Sequence, residues 1–393
     1  MVLDVIRIPE KLEQPEQAAA RRRGSRRARP VTLVPVLAAT IAAVVALLVA
    51  AVVAALPAPR PVTADPPPAG TMATARIFNP GGLISDPFVL PTPTLDYLYS
   101  SGIGGAGQPH LPEHTFAVMG RFLSAGDAVP ALPSWVEPGT GLWAPDVRKV
   151  GRIYVMWFSG LYRGYVLPTG VPAQCVGVAT SRSPTGPFVA GAPAPTVCQT
   201  SEYGDIDPRT FVAPDGREWL YWKNDGNAVS AHPLTTHIYA RRLAANGRTP
   251  VGPTTVLLAN DLPWEGPLVE APDMVRDGRR YLLFFAGNSS DAEVNGVGLA
   301  LCRGPGGPCT SPYAGPWLGS NAQGAGPGEE TVYAQNGVTW MLYTPHALYY
   351  PDAVPGLAAA RIAFTTRGMP YVASHQGMVP GVSAGRGGQV GAR

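Results

Sequence analysis

Charge is scarce in this chain, because only 15% of its 393 residues are Asp, Glu, Lys or Arg. The formal net charge of +3 depends on one run, Arg21 to Arg29, which contains six arginines and leaves the remainder near −3. Proteins that bind nucleic acid present a basic surface, and no comparable cluster follows this run. The sequence therefore predicts that nucleic acid is not a partner.

Cysteine is also scarce, and the four residues present are Cys175, Cys198, Cys302 and Cys309. None of them forms the CxxC spacing typical of zinc sites, so zinc bound through sulfur is disfavoured. Four cysteines allow three pairings. Pairing between sequence neighbours, Cys175 with Cys198 and Cys302 with Cys309, is the simplest, because each bond then closes a loop within one structural repeat.

A helical pattern of apolar residues is nearly absent after residue 57, whereas glycine (46 residues) and proline (44 residues) are abundant. This composition suits short strands joined by tight turns. A turn glycine precedes an aromatic apolar segment four times, at Gly151, Gly216, Gly278 and Gly337, with gaps of 65, 62 and 59 residues. A hairpin repeated at near-constant spacing predicts an all-β fold, with a β-propeller as the candidate.

The repeats divide residues 73–374 into five units, and this range is the predicted five-bladed β-propeller domain. The units are predicted to begin at Asp86, Trp143, Asp205, Val269 and Gly328. The first unit has no turn glycine equivalent to those of the other four.

The chain before the propeller is predicted to hold a cytoplasmic basic tail (1–29), one transmembrane helix or signal segment (30–56) and a Pro-rich linker (57–72). Residues 31–56 carry no charge, and about 20 apolar residues are enough to span a bilayer. The preceding arginines favour a cytoplasmic N-terminus. The prediction is a single-pass cell-membrane protein with an extracytoplasmic propeller, or a secreted one if the segment is cleaved. Residues 375–393 are predicted to be a disordered tail.

Two of the repeats share a short motif that separates structural from functional positions. Trp143-Ala-Pro-Asp146 in the second unit and Glu270-Ala-Pro-Asp273 in the fourth agree at three of four positions. The shared Asp146 and Asp273 are interpreted as structural parts of the repeat. Glu270 replaces Trp143 at the variable position, so it is interpreted as the residue with a specific task.

Other units also place acids near the start of a strand. Ser85-Asp86-Pro87 and Ile206-Asp207-Pro208 are alike, and Glu329 stands eight residues before its turn glycine, as Glu270 does. The innermost strands of a propeller line its central channel, so we expect Asp86, Asp207 and Glu270 to meet in one pocket. Carboxyl groups with separated pKa values are what hydrolysis of a glycosidic bond requires.

Six motifs carry a resemblance to a known family. In chain order they are Asp86-Pro87, Trp143-Ala-Pro-Asp146, Val178–Phe188 (VATSRSPTGPF), Ile206-Asp207-Pro208, Val269-Glu270-Ala271-Pro272 and Gly326-Pro327-Gly328. Together they resemble glycoside hydrolase family 43, the five-bladed propeller arabinanases, arabinofuranosidases and β-xylosidases. The resemblance implies an inverting glycosidase that cleaves arabinofuranosidic or xylosidic linkages in a polysaccharide or oligosaccharide. It implies that Asp86 is the general base, Glu270 the general acid, and Asp207 the residue that modulates the pKa of the acid and orients it.

The sequence departs from the family after Gly328, where Glu329 and Glu330 stand in place of a small or polar residue or a His. In relatives that bind an axial metal, often calcium, a His near this position takes part. We therefore assign no metal ligand and no certain cofactor, and a structural calcium stays an alternative because carboxylates suit hard cations. His346 is another candidate for this imidazole, although a lone His is more often structural.

Trp143 and Trp264 are candidate substrate-binding residues, because an aromatic ring near the channel can stack on a sugar. The alternative is that both are core aromatics. Glu265 lies close to Glu270 in the sequence and is its rival as the acid.

Two other functions are compatible with the sequence. A non-catalytic propeller that binds glycans at the cell surface would keep an aromatic pocket but would not need three acids. A retaining enzyme of the fructan-cleaving kind also uses three acids, but its middle motif would contain Arg-Asp-Pro, whereas Ile206 precedes Asp207 here.

Overall fold

The chain folds as five antiparallel sheets, and each sheet is built from one continuous stretch of sequence with its strands in chain order. The computed structural model describes residues 84–117, 121–290, 292–320, 325–345 and 357–375. The predicted basic tail, membrane segment and linker lie outside the described residues, as do residues 376–393 of the predicted disordered tail. In the described ranges, no helix is long and apolar enough to cross a bilayer.

The first sheet contains β1 (Phe88–Pro91), β2 (Leu95–Tyr99), β3 (Pro112–Ala117) and β4 (Arg121–Asp127). The second contains β5 (Trp143–Val150), β6 (Ile153–Val166) and β7 (Pro172–Ser181). Isolated bridges from Val176 to Val197 and from Thr180 to Val189 add a partial fourth strand to the second sheet.

The third sheet contains β8 (Asp205–Val212), β9 (Glu218–Asn224), β10 (His237–Leu243) and β11 (Pro250–Ala259). The fourth contains β12 (Val269–Asp277), β13 (Arg280–Gly287), β14 (Gly296–Cys302) and β15 (Cys309–Thr310). The fifth contains β16 (Gly328–Gln335), β17 (Val338–Thr344), β18 (Ala358–Phe364) and β19 (Pro370–His375). Short 3₁₀ helices lie at Thr200–Glu202, Gly226–Ala228 and Pro263–Glu265.

The four predicted glycine turns each join the first strand of a sheet to the second. The φ angles are +60° at Gly151, +77° at Gly216, +54° at Gly278 and +75° at Gly337. These values lie in the left-handed region, which a residue with a Cβ rarely adopts. The repeated glycine is therefore a requirement of the turn, as the sequence predicted.

The first sheet replaces the missing glycine with a threonine. The Thr92 hydroxyl donates to the carbonyl of Leu95 at 2.6 Å and accepts the Leu95 N–H at 3.1 Å. A hydroxyl that bonds to nearby backbone closes a turn without a positive φ. This turn explains why the first unit does not show the glycine pattern.

The first strand of each sheet is the innermost one, and the five innermost strands meet in a ring. β1 contacts β5, β5 contacts β8, β8 contacts β12, β12 contacts β16, and β16 returns to β1. Five sheets around one axis form a five-bladed β-propeller, which confirms the predicted fold. The predicted starts of the second to fifth units, Trp143, Asp205, Val269 and Gly328, are the first residues of β5, β8, β12 and β16.

The apolar core is divided into clusters between neighbouring blades, because successive side chains of a strand point to opposite faces. On β6, Trp157 packs with Trp222 of the third blade, while Phe158 packs with Trp135 in the cluster shared with the first blade. The same alternation continues around the ring, and a cluster including Leu98 and Trp340 joins the fifth blade to the first. Strands buried on both faces explain the uninterrupted aromatic segments of the sequence.

Asp146 and Asp273 connect neighbouring blades, in agreement with the structural role inferred for them. Asp146 accepts the backbone N–H of Thr210 at 3.1 Å and its hydroxyl at 2.5 Å. Asp273 accepts the N–H of Val332 at 2.7 Å. Each aspartate therefore connects its own innermost strand to the innermost strand of the next blade.

The cysteines form the two local pairs. Cys175 is bonded to Cys198 in the second blade and Cys302 to Cys309 in the fourth. The second pair joins β14 to β15, so it staples the outer edge of its sheet.

Candidate active site

One backbone feature recurs at the channel end of all five innermost strands. The residues with an unusual positive φ there are Asp86 (+48°), Ala144 (+45°), Asp207 (+57°), Ala271 (+50°) and Glu329 (+54°). In the second to fifth blades the pairing with the neighbouring strand shifts at this point, which marks a β-bulge. A non-glycine residue in this region costs on the order of 1–3 kcal/mol, and such strain clusters at functional sites.

Neighbouring blades stabilise four of these five strained residues by accepting their N–H groups. Glu329 Oε2 accepts from Asp86 at 3.3 Å, and Asp207 Oδ2 accepts from Ala271 at 3.0 Å. Ser101 Oγ accepts from Ala144 at 2.9 Å. Ser159 Oγ accepts from Asp207 at 3.1 Å. Two of the candidate acids therefore also hold the backbone of the next blade.

The positions of these residues on their strands correct the inference that Glu329 and Glu270 are equivalent, which rested on their equal distance from the turn glycine. Asp86, Asp207 and Glu329 occupy the positive-φ position, but Glu270 lies one residue before it, at the position of Trp143. The distance from the turn glycine did not reveal this difference for two reasons. The third blade has a longer hairpin connection between β8 and β9, and Gly337 is the second residue of its turn whereas Gly278 is the first. Glu270 and Asp207 therefore reach the channel from different backbone positions.

The three predicted acids line one open pocket of about 420 Å³. Asp86, Asp207 and Glu270 are joined there by Glu329 and by the ammonium group of Lys223. A second cavity of about 10 Å³ is lined by Asp86, Asp207, Glu329 and Arg209. The acids thus face a pocket large enough for a ligand, with a water-sized space beside it.

The shared environment raises the pKa values of three carboxyl groups. Burial raises the pKa of Asp86 to about 6, with the Glu270 charge adding to the rise and the Ser101 hydroxyl and Arg209 opposing it. Burial and the charges of Glu270 and Asp86 raise the pKa of Asp207 to about 8. Burial, Asp86 and Glu270 raise the pKa of Glu329 well above its usual range. At neutral pH, Asp86 is therefore mostly ionised while Asp207 holds a proton, and the surroundings of Glu329 favour its neutral form.

Lys223 is a fully buried cation that contacts the predicted acid. Its Nζ lies 3.2 Å from Glu270 Oε2, 2.7 Å from Asn227 Oδ1 and 3.8 Å from Asp225 Oδ1. Burial alone would lower the pKa of Lys223, but Glu270, Asp225 and Asp207 together raise it. The ammonium group therefore stays charged and fixes the position of the Glu270 carboxyl.

Sequence comparison now assigns the chain to a family. The model of the glycosyl hydrolases family 43 matches residues 81–370. The chain belongs to glycosyl hydrolase family 43. Members of this family hydrolyse O-glycosyl bonds, so the resemblance seen in the sequence motifs is confirmed and the protein is a glycosidase. A comparison with curated protein sequences found no match.

Solved structures of family 43 enzymes have the same fold. A thermostable family-43 glycoside hydrolase is 20% identical with a TM-score of 0.64, covering 78% of this chain and 98% of its own. An endo-1,4-β-xylanase from Bacteroides thetaiotaomicron is 20% identical with a TM-score of 0.61, covering 75% and 95%. An α-L-arabinanase from Cellvibrio cellulosa, complexed with arabinohexaose, is 16% identical with a TM-score of 0.56, covering 74% and 95%.

The two candidate tryptophans of this family 43 protein lie in different surroundings. Trp143 is 43% exposed and lines the open pocket. Trp264 is not among the pocket residues, since it packs against Phe285 with ring centroids 5.9 Å apart. Glu265 caps a short helix by accepting the Asp261 N–H at 2.8 Å, so it does not compete with Glu270 in the pocket.

The channel residues do not fit the axial calcium bound by some members of the family. Within the described part of the chain, no three carboxylate, imidazole or thiol groups are arranged to hold a metal ion. Calcium takes six to eight oxygen ligands, whereas the central cavity is water-sized and bordered by the Arg209 guanidinium. We therefore derive no step through calcium. His346, the other candidate ligand, lies outside the described residues.

Sequence reasoning missed the two cations of the site. Lys223 ends a segment of buried aromatic residues in β9, and a lysine on such a strand is a signal of a buried charge partner. Arg209 follows Asp207-Pro208, but no local pattern indicates where its long side chain ends. Ser101, which donates to an Asp86 carboxylate oxygen, lies in a loop without a pattern.

The raised pKa of Asp207 predicts a pH-dependent stability. Because this pKa is higher in the folded than in the unfolded chain, Asp207 favours folding at low pH, and the benefit is lost as pH rises toward 8. We expect the free energy of unfolding of the native chain, relative to Asp207→Asn, to fall by up to about 1.4 kcal/mol per pH unit between about pH 5 and about pH 8. Urea unfolding of both proteins across this range measures it.

A matched control for this experiment is Asp215→Asn, which changes an exposed aspartate in a turn. This variant should keep a constant stability difference from the native chain over the same pH range. A pH-independent difference for Asp207→Asn as well would contradict the assigned protonation of Asp207.

Proposed function

We propose that this family 43 protein cleaves arabinofuranosidic or xylosidic linkages of a polysaccharide or oligosaccharide with inversion at the anomeric carbon. The observation that carries the proposal is the convergence of Asp86, Asp207 and Glu270 on one open pocket. A glycan-binding propeller would not require three buried carboxyl groups whose mutual repulsion must be offset.

Asp86 suits the general base. Its pKa of about 6 leaves the carboxylate ionised at neutral pH, where it can take a proton from water. Ser101 donates its hydroxyl to Asp86 Oδ2, and the Asp86 N–H is held by Glu329. These two hydrogen bonds fix both the carboxylate and the backbone of Asp86.

Glu270 suits the general acid. It gives the proton that it shares with Asp207 to the glycosidic oxygen, as the bond from that oxygen to the anomeric carbon breaks. The water oxygen bonds to the opposite face of the same carbon, and its proton passes to Asp86. The leaving group departs as an alcohol, and the anomeric configuration is inverted.

Asp207 suits a positioning role beside the acid. Its Oδ2 accepts the N–H of Ala271, the residue that follows Glu270, so it fixes the peptide from which the acid projects. Asp207 also holds a proton at neutral pH next to Glu270. Asp207 and Glu270 together therefore retain one proton at neutral pH, at which two exposed carboxyl groups would both be ionised.

The pocket mouth suits a sugar ring. Trp143 and Ile103 line the pocket and are 43% and 69% exposed, so they offer an apolar surface beside the acids. Apolar sugar faces stack on such surfaces while their hydroxyl groups bond to nearby polar groups. The solved arabinanase and xylanase of the same fold support pentose-containing glycans as the substrate class.

Substrates whose leaving groups differ in basicity distinguish the role of Glu270 as the acid from the role of Asp86 as the base. We expect Glu270→Gln to lose about 10²–10⁴-fold in kcat on an oligosaccharide but much less on a dinitrophenyl glycoside, which departs without protonation. Asp86→Asn should lose a similar factor on both substrates, because water activation is needed in each case. Steady-state kinetics on arabinofuranosides and xylosides measures these ratios.

Glu265→Gln is the control for this experiment, since Glu265 lies outside the pocket and should keep the native ratio between the two substrates. Equal losses for Glu270→Gln on both substrates would exclude Glu270 as the acid. Binding of glycans with no turnover by the native chain would favour the non-catalytic alternative.

The stereochemistry of the first product tests inversion. Proton NMR during the first minutes of hydrolysis should show the anomer opposite to that of the substrate, before mutarotation mixes the two forms. Accumulation of the same anomer as in the substrate would indicate a retaining enzyme.

We also propose that the propeller works outside the cytoplasm. The support is the uncharged segment 31–56 after six arginines, together with two disulfide bonds in the propeller. Protease added to intact cells should digest the propeller of an anchored protein, or the culture medium should contain a shortened chain. A protected, full-length chain that is released only by cell lysis would contradict export.

A further inference from the structure

Arg209 leaves the third blade and crosses the central channel. It belongs to β8, but its Nη2 donates to the Glu330 carbonyl of the fifth blade at 3.2 Å. Its guanidinium lies 5.1 Å from the ring centroid of Phe88 in the first blade. Arg209 is 8% exposed. Its two contacts show that one buried arginine connects three blades.

Carboxyl groups surround this guanidinium from every other blade. Burial raises the pKa values of four of them, and the positive charge of Arg209 opposes the rise in each; they are Asp86, Asp146, Asp273 and Glu330. Asp207 and Glu329 border the same small cavity as Arg209. Glu270 faces Asp86 from β12, and Lys223 contacts Glu270 on the side of the open pocket.

Arg209 is held firmly but is not saturated with hydrogen bonds. Its Nη1 is buried and has no hydrogen-bond partner among the described residues. The water-sized cavity beside it is shared with Asp86, Asp207 and Glu329. An arginine stays charged throughout the accessible pH range, so its effect on these acids does not titrate away.

We propose that Arg209 is the fixed axial cation of this enzyme, a positioning residue that keeps the base Asp86 ionised where some relatives use a metal ion. The proposal follows from the disagreement between the channel residues and a calcium site. A divalent cation near the guanidinium would be repelled, whereas the positive charge of the guanidinium itself opposes the rise in pKa of the surrounding acids. The catalytic part of this role rests on Asp86 being the base, as proposed above.

The variant Arg209→Met tests the charge, and Arg209→Gln is a second neutral variant that keeps a donor for the Glu330 carbonyl. With either variant, we expect the acid limb of the pH profile of kcat/KM to move up by about one pH unit. Activity at pH 5 and below should then fall by about tenfold, whereas activity at pH 7 should fall only about twofold, because the pKa of Asp86 starts at about 6. Arg209→Lys keeps the charge and should leave the limb near its native position.

Arg148→Met is the matched control. Arg148 is a partly buried arginine paired with Glu218, and that acid does not line the pocket. This control should lose stability without moving the acid limb. An unchanged limb in both neutral Arg209 variants would overturn the proposal.

A readout without turnover separates this proposal from the assigned reaction. Chains with ¹³C-labelled aspartate carboxyl groups, with Asp86 assigned by its loss in Asp86→Asn, should show the Asp86 titration moving upward in Arg209→Gln. If this shift occurs while no glycoside is cleaved, the electrostatic role stands and the proposed reaction fails. If it is absent, the role of Arg209 fails whatever the activity.

Metal analysis of the native chain completes the test. After dialysis against a chelator, the protein should contain no stoichiometric calcium, and added calcium should leave its melting temperature unchanged. One tightly held calcium per chain, with a raised melting temperature, would overturn the proposal.

Discussion

The active site depends on a backbone N–H that is accepted by the neighbouring blade. At the channel end of each innermost strand one residue has a positive φ, and in four blades its N–H bonds to a serine or carboxyl side chain of the preceding blade. These bonds offset the strain of the conformation and fix where each blade presents its side chain. Asp207 and Glu329 are two of these acceptors, so acids that line the pocket also fix the backbone of the next blade.

Carboxyl groups concentrated near the propeller axis repel one another, and two buried cations reduce this repulsion. Lys223 lies against Glu270 on the pocket side, and Arg209 lies among carboxyl groups of the four other blades. Protonation of Asp207 removes further negative charge, and burial favours the neutral form of Glu329. At neutral pH the surroundings therefore leave Asp86 ionised and Asp207 protonated, although both are aspartates with similar intrinsic acidity.

The fold and part of the site could be predicted because their determinants are local. Turn glycines with positive φ fixed the blade spacing, and comparison of Trp143 with Glu270 separated the variable position from the structural one. The register of Asp207 could not be predicted, because a bulge and a longer turn change the count. Trp264 was a candidate pocket residue only because it is close to Glu270 in the sequence. Arg209 contacts residues more than a hundred positions away, which no local pattern encodes.

The contact between Glu329 and Asp86 joins residues 243 positions apart, at the seam between the last blade and the first. During synthesis the first blade emerges with Asp86 long before the fifth blade exists. The proposed base therefore gains its backbone support only after nearly the whole domain has been translated and the ring has closed. A chain that ends before Glu329 lacks this acceptor for the Asp86 N–H, so the position of the seam couples support of the proposed base to completion of the chain.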